Sequence, residues 1–189
     1  MEMKEIVIVG VYGKAGCGKD TLSDHLVEKY NYHKLSFAKK LKQHCVDEHD
    51  WDGKKDDKGR RLLQFQGTEV HRITMNMIWV DFLRLEIALL VGDGYDKFVI
   101  SDMRFLNEFD FIVSAHEQEF GKGVNAVGCP IKITGRAYEM TEDAMKHQSE
   151  NDLAGVADSS FSHVILNFGT KDKFYEDIED IITRYGLDQ

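Results

Sequence analysis

The chain has 189 residues, 42% hydrophobic and 30% charged, which suits one globular domain with a real core. Its net charge of −9 argues against bulk nucleic-acid binding, which needs a basic footprint, but leaves room for a small anion held by a few local cations. A single proline, no low-complexity tract and no apolar run near the ~18 residues of a bilayer span exclude a long disordered linker and a membrane segment.

A strand is predicted over residues 5–11, with no room before it for a leader, so the expected compartment is the cytoplasm. The apolar run Ile6-Val7-Ile8-Val9-Gly10-Val11 leads into Gly13-Lys14-Ala15-Gly16-Cys17-Gly18-Lys19-Asp20-Thr21. Strand, glycine-rich turn and helix start make a phosphate cradle: glycines let backbone N–H groups converge on an anion, and the helix N-terminus adds partial positive charge. Lys19 adds a point charge near the β- and γ-phosphates of a nucleoside triphosphate. Asp20 stands where Ser or Thr normally gives Mg²⁺ a hydroxyl; a carboxylate is also a hard oxygen ligand, and Thr21 can donate to a phosphate. Cys17, Cys45 and Cys129 show no paired or metal-type spacing and read as reduced thiols. A thiol at Cys17 would be acidified by the helix start, which makes it a candidate redox-sensitive group.

The next helix covers residues 19–30, with Leu22, Leu26 and Val27 on one face, and a short strand follows at 33–37. Residues 38–49 read as a lysine-rich helix and 50–59 as a charged loop; 60–72 and 75–91 read as two further helices. On the first of these, Arg61, Gln64 and Thr68 share a face at helical spacing, Gln64 offers an amide suited to a base edge, and Arg72 can hold a monophosphate; a solvated helix with a Glu69–Arg72 surface pair is the competing reading. The apolar 75–91 helix is core or a homodimer face, and Trp79 within it is expected to pack rather than stack on a ligand.

Residues 98–101 form a third strand, short and apolar as a strand buried on both faces should be. Ligands in open α/β sheets gather at the carboxyl ends of strands, so Ser101-Asp102-Met103-Arg104 draws attention. Asp102 there can hold Mg²⁺ or its water, and Arg104 can bridge donor and acceptor phosphates with its planar fork; the alternative is that Asp102 caps the next helix and Arg104 pairs with Glu108. A helix is expected from Leu106 to about Glu117, a glycine-punctuated loop at 121–129 and a fourth strand at 130–134. Residues 135–158 read as a mobile flap whose cations Arg136, Lys146 and His147 can close over a transferring phosphoryl group, or simply balance the acids around them. A fifth strand at 163–167 leads to Asn167, Gly169 and Thr170, which either flank a nucleotide base or form an ordinary turn with Thr170 as N-cap, and an amphipathic helix covers 171–185. Alternating strands and helices imply a three-layer α/β fold with a five-stranded parallel sheet.

Four motifs taken together resemble the P-loop nucleoside monophosphate kinase family, most of all phage-type deoxynucleoside monophosphate kinases: Gly13–Thr21 with its GKD-T ending, Q-x-x-G-T-E at 64–69, D-x-R-x-x-N-E at 102–108 and H-x-S-E at 147–150. The resemblance implies transfer of the γ-phosphoryl of ATP to a deoxynucleoside 5′-monophosphate with Mg²⁺, in the host cytoplasm for a phage protein. It implies a single P-loop kinase domain over 1–189, with a monophosphate-binding helical region at 38–92 and a lid at 135–158. By position it assigns Lys19 and the loop amides to ATP, and Asp20, Thr21 and Asp102 to the metal. Lys39, Arg61, Gln64, Gly67, Thr68, Glu69, Arg72, Asp102, Arg104, Asn107, Glu108, Lys146, His147 and Glu150 go to the acceptor, with Lys19, Arg104 and Arg136 catalytic. The lid segment lacks the dense arginine cluster of adenylate kinases. A P-loop kinase of another small metabolite, such as dephospho-coenzyme A, and a nucleotide-sensing module that transfers nothing are the alternatives; acidic charge counts against a kinase of polynucleotide ends.

Overall fold

A computed structural model describes residues 3–54, 56–70, 77–135 and 151–188. Five parallel strands stand in the order β2-β3-β1-β4-β5: β1 (Lys4–Tyr12), β2 (His33–Leu35), β3 (Lys97–Ile100), β4 (Val124–Gly135) and β5 (His163–Asn167). The helices are α1 (Lys19–Tyr30), α2 (Lys39–His49), α3 (Asp57–Gln64), α4 (Ile78–Gly92), α5 (Leu106–Val113) and α6 (Lys171–Tyr185), with a π-helical turn at Phe65–Val70. Two-residue alternation along β1 sends Ile6 and Ile8 to one face and Val9 and Val11 to the other. On the first face Val80, Leu83 and Ile87 of α4 and Phe109 and Ile112 of α5 cover the sheet. On the second, Leu22 and Leu26 of α1 meet Phe174, Ile178 and Ile182 of α6. This is the expected three-layer α/β fold, with β1 central and its carboxyl end opening into the glycine loop.

Several elements depart from the sequence reading, among them the helix expected from Leu106 to about Glu117, which ends at Val113 before a 3-10 turn at Ala115–Glu117. β4 begins at Val124, inside the expected loop, because it pairs with β1 from Lys4↔Val124 to Tyr12↔Lys132. Gly128, which looked like a loop residue, is demanded by packing: a Cβ there would sit 1.7 Å from the Ile112 carbonyl oxygen. α3 starts at Asp57, within the expected 50–59 loop, because the Asp56 carboxylate caps it by accepting from Gly59 N at 2.8 Å. β2 ends at Leu35 rather than at 37, for a reason given below. The 78–92 helix serves the core with Trp79, Val80, Leu83, Ile87 and Val91, while Phe82, Leu85 and Leu89 face outward. Trp79 packs, as expected, and donates to Gly67 O at 3.2 Å.

Residues 151–158 were expected within a mobile flap. Here Leu153 is fully buried in the core, and the Asp152 carboxylate accepts from Leu106 N at 2.8 Å, so this arm is docked on α5.

α1 and α6 are tied through one carboxylate. Glu179 accepts from Lys29 Nζ at 2.5 Å and Tyr30 Oη at 2.6 Å, and meets His25 Nε2 at 2.6 Å. Hydrogen bonds from Lys29 first, then Tyr30, hold its carboxyl at about 2 against an ordinary 4.5. A lowered folded-state pKa contributes stability above the unfolded value and loses it as pH falls through the folded one. Glu179→Gln should therefore lower Tm at pH 7, with the gap to the unaltered protein closing as pH falls from 4.5 toward 2. A gap constant over that range in thermal scans would show that this charge does not bind the two helices.

Candidate active site

The glycine loop closes on itself at the carboxyl end of β1. Gly18, the N-cap of α1, has φ 112° and brings no side chain to cap the helix; the Lys19 N–H lies against the Cys17 sulfur, so an anion at this helix start would meet the N–H groups beyond it. The loop is also crowded from below. A Cβ at Gly13 would meet Cys17 Sγ and Ile133 O, each at 2.5 Å, and one at Gly18 would meet the Phe174 ring at 2.8 Å. Only glycine satisfies both the turn and these approaches. Lys19 Nζ donates to Gly13 O at 2.6 Å and Lys14 O at 2.8 Å, folding its ammonium back over the loop. Burial lowers the Lys19 pKa from its ordinary value, opposed by the Cys17 thiol, and the Arg104 guanidinium lowers it further. Lys14 and Gly16 are exposed on the loop crest, and Ala15 and Thr21 are half-buried. Cys17 departs from the acidified-thiol alternative: its side chain points into the core at 1% exposure, and desolvation raises the thiol pKa more than Lys19 lowers it. Burial outweighs the helix start, so the group is not an activated thiolate.

Beside the loop, Asp20 is open, its side chain 82% exposed, and Lys34 Nζ at 3.4 Å and Ser101 Oγ at 3.5 Å approach its Oδ1. Asp102 behaves otherwise. Its Oδ2 accepts from Ser36 Oγ at 2.6 Å and Ala38 N at 3.1 Å, and its Oδ1 from Phe37 N at 3.0 Å. These bonds pull residues 36–38 out of the strand, which is why β2 stops at Leu35. The carboxylate therefore caps a helix, but α2 rather than the one that follows it.

Burial raises the Tyr12 pKa and the Arg104 guanidinium opposes that rise; at Lys19, where burial lowers the pKa, the same guanidinium lowers it further. Glu108, expected on the acceptor, is 2% exposed, and its Oε2 accepts from Arg104 N at 2.7 Å and Phe105 N at 3.2 Å. It closes the N-terminus of α5 and fixes the backbone from which Arg104 projects, a role the E at helix position N3 signals in sequence. Asn107 is half-buried, its amide 3.9 Å from Met77 Sδ.

In the helical region, Lys39 of α2 is paired with Glu86 of α4. Arg61 is exposed and Gln64 half-buried at the end of α3. The π-turn begins at Phe65, so the α-helical phase that grouped Thr68 with Arg61 and Gln64 does not run through it. Gly67 in that turn is a packing glycine: a Cβ would strike Leu41 Cδ2 at 2.6 Å. The backbone of Glu69 lies in the same turn. Arg72, Arg136, Lys146, His147 and Glu150 lie outside the described residues.

On the far side of the loop, Asn167 Nδ2 donates to Cys17 O at 2.9 Å, so β5 braces the glycine loop directly. Thr170 is the N-cap of α6, accepting from Lys173 N at 3.2 Å, and Gly169 lies exposed before it. Sequence reasoning missed Ser36 and gave no role to Ser101 or to the buried polar Gln66 of the π-turn. Ser101, the first residue past β3, was recoverable from position alone; Ser36 was not, because its partner lies 66 residues on.

No family model matches the chain. It is 29% identical, over 92% of its length and 94% of the relative's, to a protein of Acanthamoeba polyphaga mimivirus named as a candidate deoxynucleotide monophosphate kinase. The chain is a relative of the deoxynucleotide monophosphate kinases. It is also 29% identical to the deoxynucleotide monophosphate kinase of Escherichia phage RB69, over 65% of this chain and 44% of that one. Among solved structures, the dephospho-CoA kinase of Campylobacter jejuni superposes with a TM-score of 0.52 at 15% identity, covering 97% of this chain and 98% of that one, which shows a shared fold. No helix among the described residues is long and apolar enough to cross a membrane.

Proposed function

We propose that the protein transfers the γ-phosphoryl group of ATP to the 5′-phosphate of a deoxynucleoside monophosphate. An acceptor phosphate oxygen attacks Pγ as its bond to the β-phosphate oxygen breaks, giving ADP and the deoxynucleoside diphosphate. The observation that carries this reading is the uncapped start of α1 beside Lys19, in a chain related to deoxynucleotide monophosphate kinases over nearly its whole length. The loop N–H groups and Lys19 hold the triphosphate, and Arg104 spans the donor and acceptor phosphates. Helices α2–α4 form the acceptor region of the single domain, where Arg61, Gln64 and Arg72 receive the monophosphate. The lid lies within 135–158, ahead of the docked 151–158 arm, with Arg136 and Lys146 as its cations. This chemistry is positioning and charge stabilisation, which is what a fixed cradle and convergent cations supply.

Magnesium fits the donor set. The exposed Asp20 carboxylate and the Ser101 hydroxyl are hard oxygens beside the cradle. A magnesium ion there would keep most of its waters and bind through one carboxylate plus phosphate oxygens. When bound, it neutralises developing charge on the phosphate oxygens.

The test is a panel of the four common deoxynucleoside 5′-monophosphates and dephospho-coenzyme A with ATP and Mg²⁺. Diphosphate formation from at least one deoxynucleotide is expected. Turnover of dephospho-coenzyme A alone would move the assignment to the metabolite-kinase reading, and ATP bound but left intact with every acceptor would move it to the sensor.

A further inference from the structure

We propose that Asp102 is a positioning residue for the acceptor nucleotide and not a ligand of the metal: it clamps the start of α2 to the carboxyl end of β3 and so sets where the acceptor region stands over the glycine loop. The inference rests on the reading that an acceptor monophosphate binds among α2–α4.

Helix α2 cannot cap itself. Its N-cap is Ala38, which has no side-chain acceptor, and its first turn holds no acid. The residues there are Lys39 and Lys40, cations at the positive end of a helix dipole. Asp102 supplies from another strand what the local sequence lacks. It brings a negative charge, acceptors for the backbone N–H groups of Phe37 and Ala38, and a partner for the Ser36 hydroxyl. Hydrogen bonds to an ionised acceptor are the strong class. Phe37 is 3% exposed, so turning the carboxylate away toward an ion would leave that segment short of an acceptor.

The clamp reaches the acceptor region through short contacts. Leu41, one turn into α2, fills the space where Gly67 of the π-turn lacks a side chain. Lys39 pairs with Glu86 of α4. On the other side, the preceding residue, Ser101, approaches Asp20 on α1. The dipeptide Ser101-Asp102 thus divides two tasks between neighbours, one facing the donor side and the other holding the acceptor side. Asp20 is left as the open carboxylate.

The experiment compares Asp102→Asn, Ser36→Ala and Asp20→Asn. Two quantities are read. One is the affinity for the best acceptor of the panel, by calorimetry in EDTA without ATP. The other is the Mg²⁺ midpoint for turnover, alongside the KM of acceptor and of ATP. Asp102→Asn is expected to weaken metal-free acceptor binding about tenfold and Ser36→Ala about threefold, the scale of one or two lost hydrogen bonds. The Mg²⁺ midpoint stays where it was in both. Asp20→Asn is expected to do the reverse. A raised Mg²⁺ midpoint in Asp102→Asn, or unchanged metal-free acceptor affinity in both Asp102→Asn and Ser36→Ala, overturns the proposal. Should Asp102→Asn not fold, Ser36→Ala decides alone. If the unaltered protein binds no deoxynucleotide, the kinase reading fails first and takes this inference with it; normal binding there with unaffected variants removes the inference alone.

Discussion

Lys19→Ala is expected to lower kcat about a thousandfold while the protein stays folded, the scale on which one fixed donor to a developing charge acts. In the structure the Lys19 ammonium sits over the loop, donating to Gly13 O and Lys14 O. Both acceptors belong to the cradle itself, so the ammonium is held above the spot that a polyphosphate would fill. Burial lowers the Lys19 pKa, opposed by Cys17, and Arg104 lowers it further, so the ammonium is held partly stripped of water. A triphosphate would give it charged oxygen partners, and its binding would draw the lysine from the carbonyls to phosphate oxygens. Removing the side chain gives up two hydrogen bonds, each worth about 0.5–1.5 kcal/mol, at half-exposed carbonyls that water can reach. The fold should survive that loss. Steady-state turnover with near-UV circular dichroism checks both halves, and unchanged turnover would remove Lys19 from its assigned role.

Arg104→Lys is expected to cost about a hundredfold in kcat/KM, although charge is kept, because an ammonium cannot reproduce a planar two-pronged donor between two phosphates. The backbone of Arg104 is fixed: its N–H donates to the buried Glu108 carboxylate at the start of α5. The guanidinium opposes the burial-driven rise of the Tyr12 pKa at the end of β1 and adds to the burial-driven lowering of Lys19 at the start of α1, so its charge is felt on both sides of the cradle. A residue with a rigid root and a charged tip there is suited to orienting a reacting phosphoryl group. Separate KM values for ATP and acceptor should show the loss in kcat more than in either KM. Near-normal kinetics with lysine would make Arg104 structural.

The glycine loop was legible in sequence because its logic is local: a buried strand, glycines at fixed spacing and a lysine lie within a short stretch. The alternation of strands and helices was legible for the same reason. What was not legible depended on partners distant in the chain. Gly128 reads as a loop residue until Ile112 is seen beside it. Glu108 and Asp102 read equally well as ligand-binding acids, and only their donors, three or four residues away for one and 64–66 for the other, separate the roles. The π-turn carries no composition signal, yet it undoes the face on which Thr68 was placed. Cys17 is the reduced thiol expected, and the acidified-thiol alternative fails because a helix-start rule takes no account of which way the side chain points.

The brace from Asn167 to Cys17 has a consequence for biosynthesis. The bend that follows the earliest strand is propped by an amide encoded about 150 positions later, and the phenyl ring of Phe174 fills the space behind Gly18. Until β5 and α6 have been made, that pocket has no back wall, even though both strands that flank β1 precede them in the chain. Competence to capture ATP should therefore arrive late, once β5 and α6 have left the exit tunnel and docked.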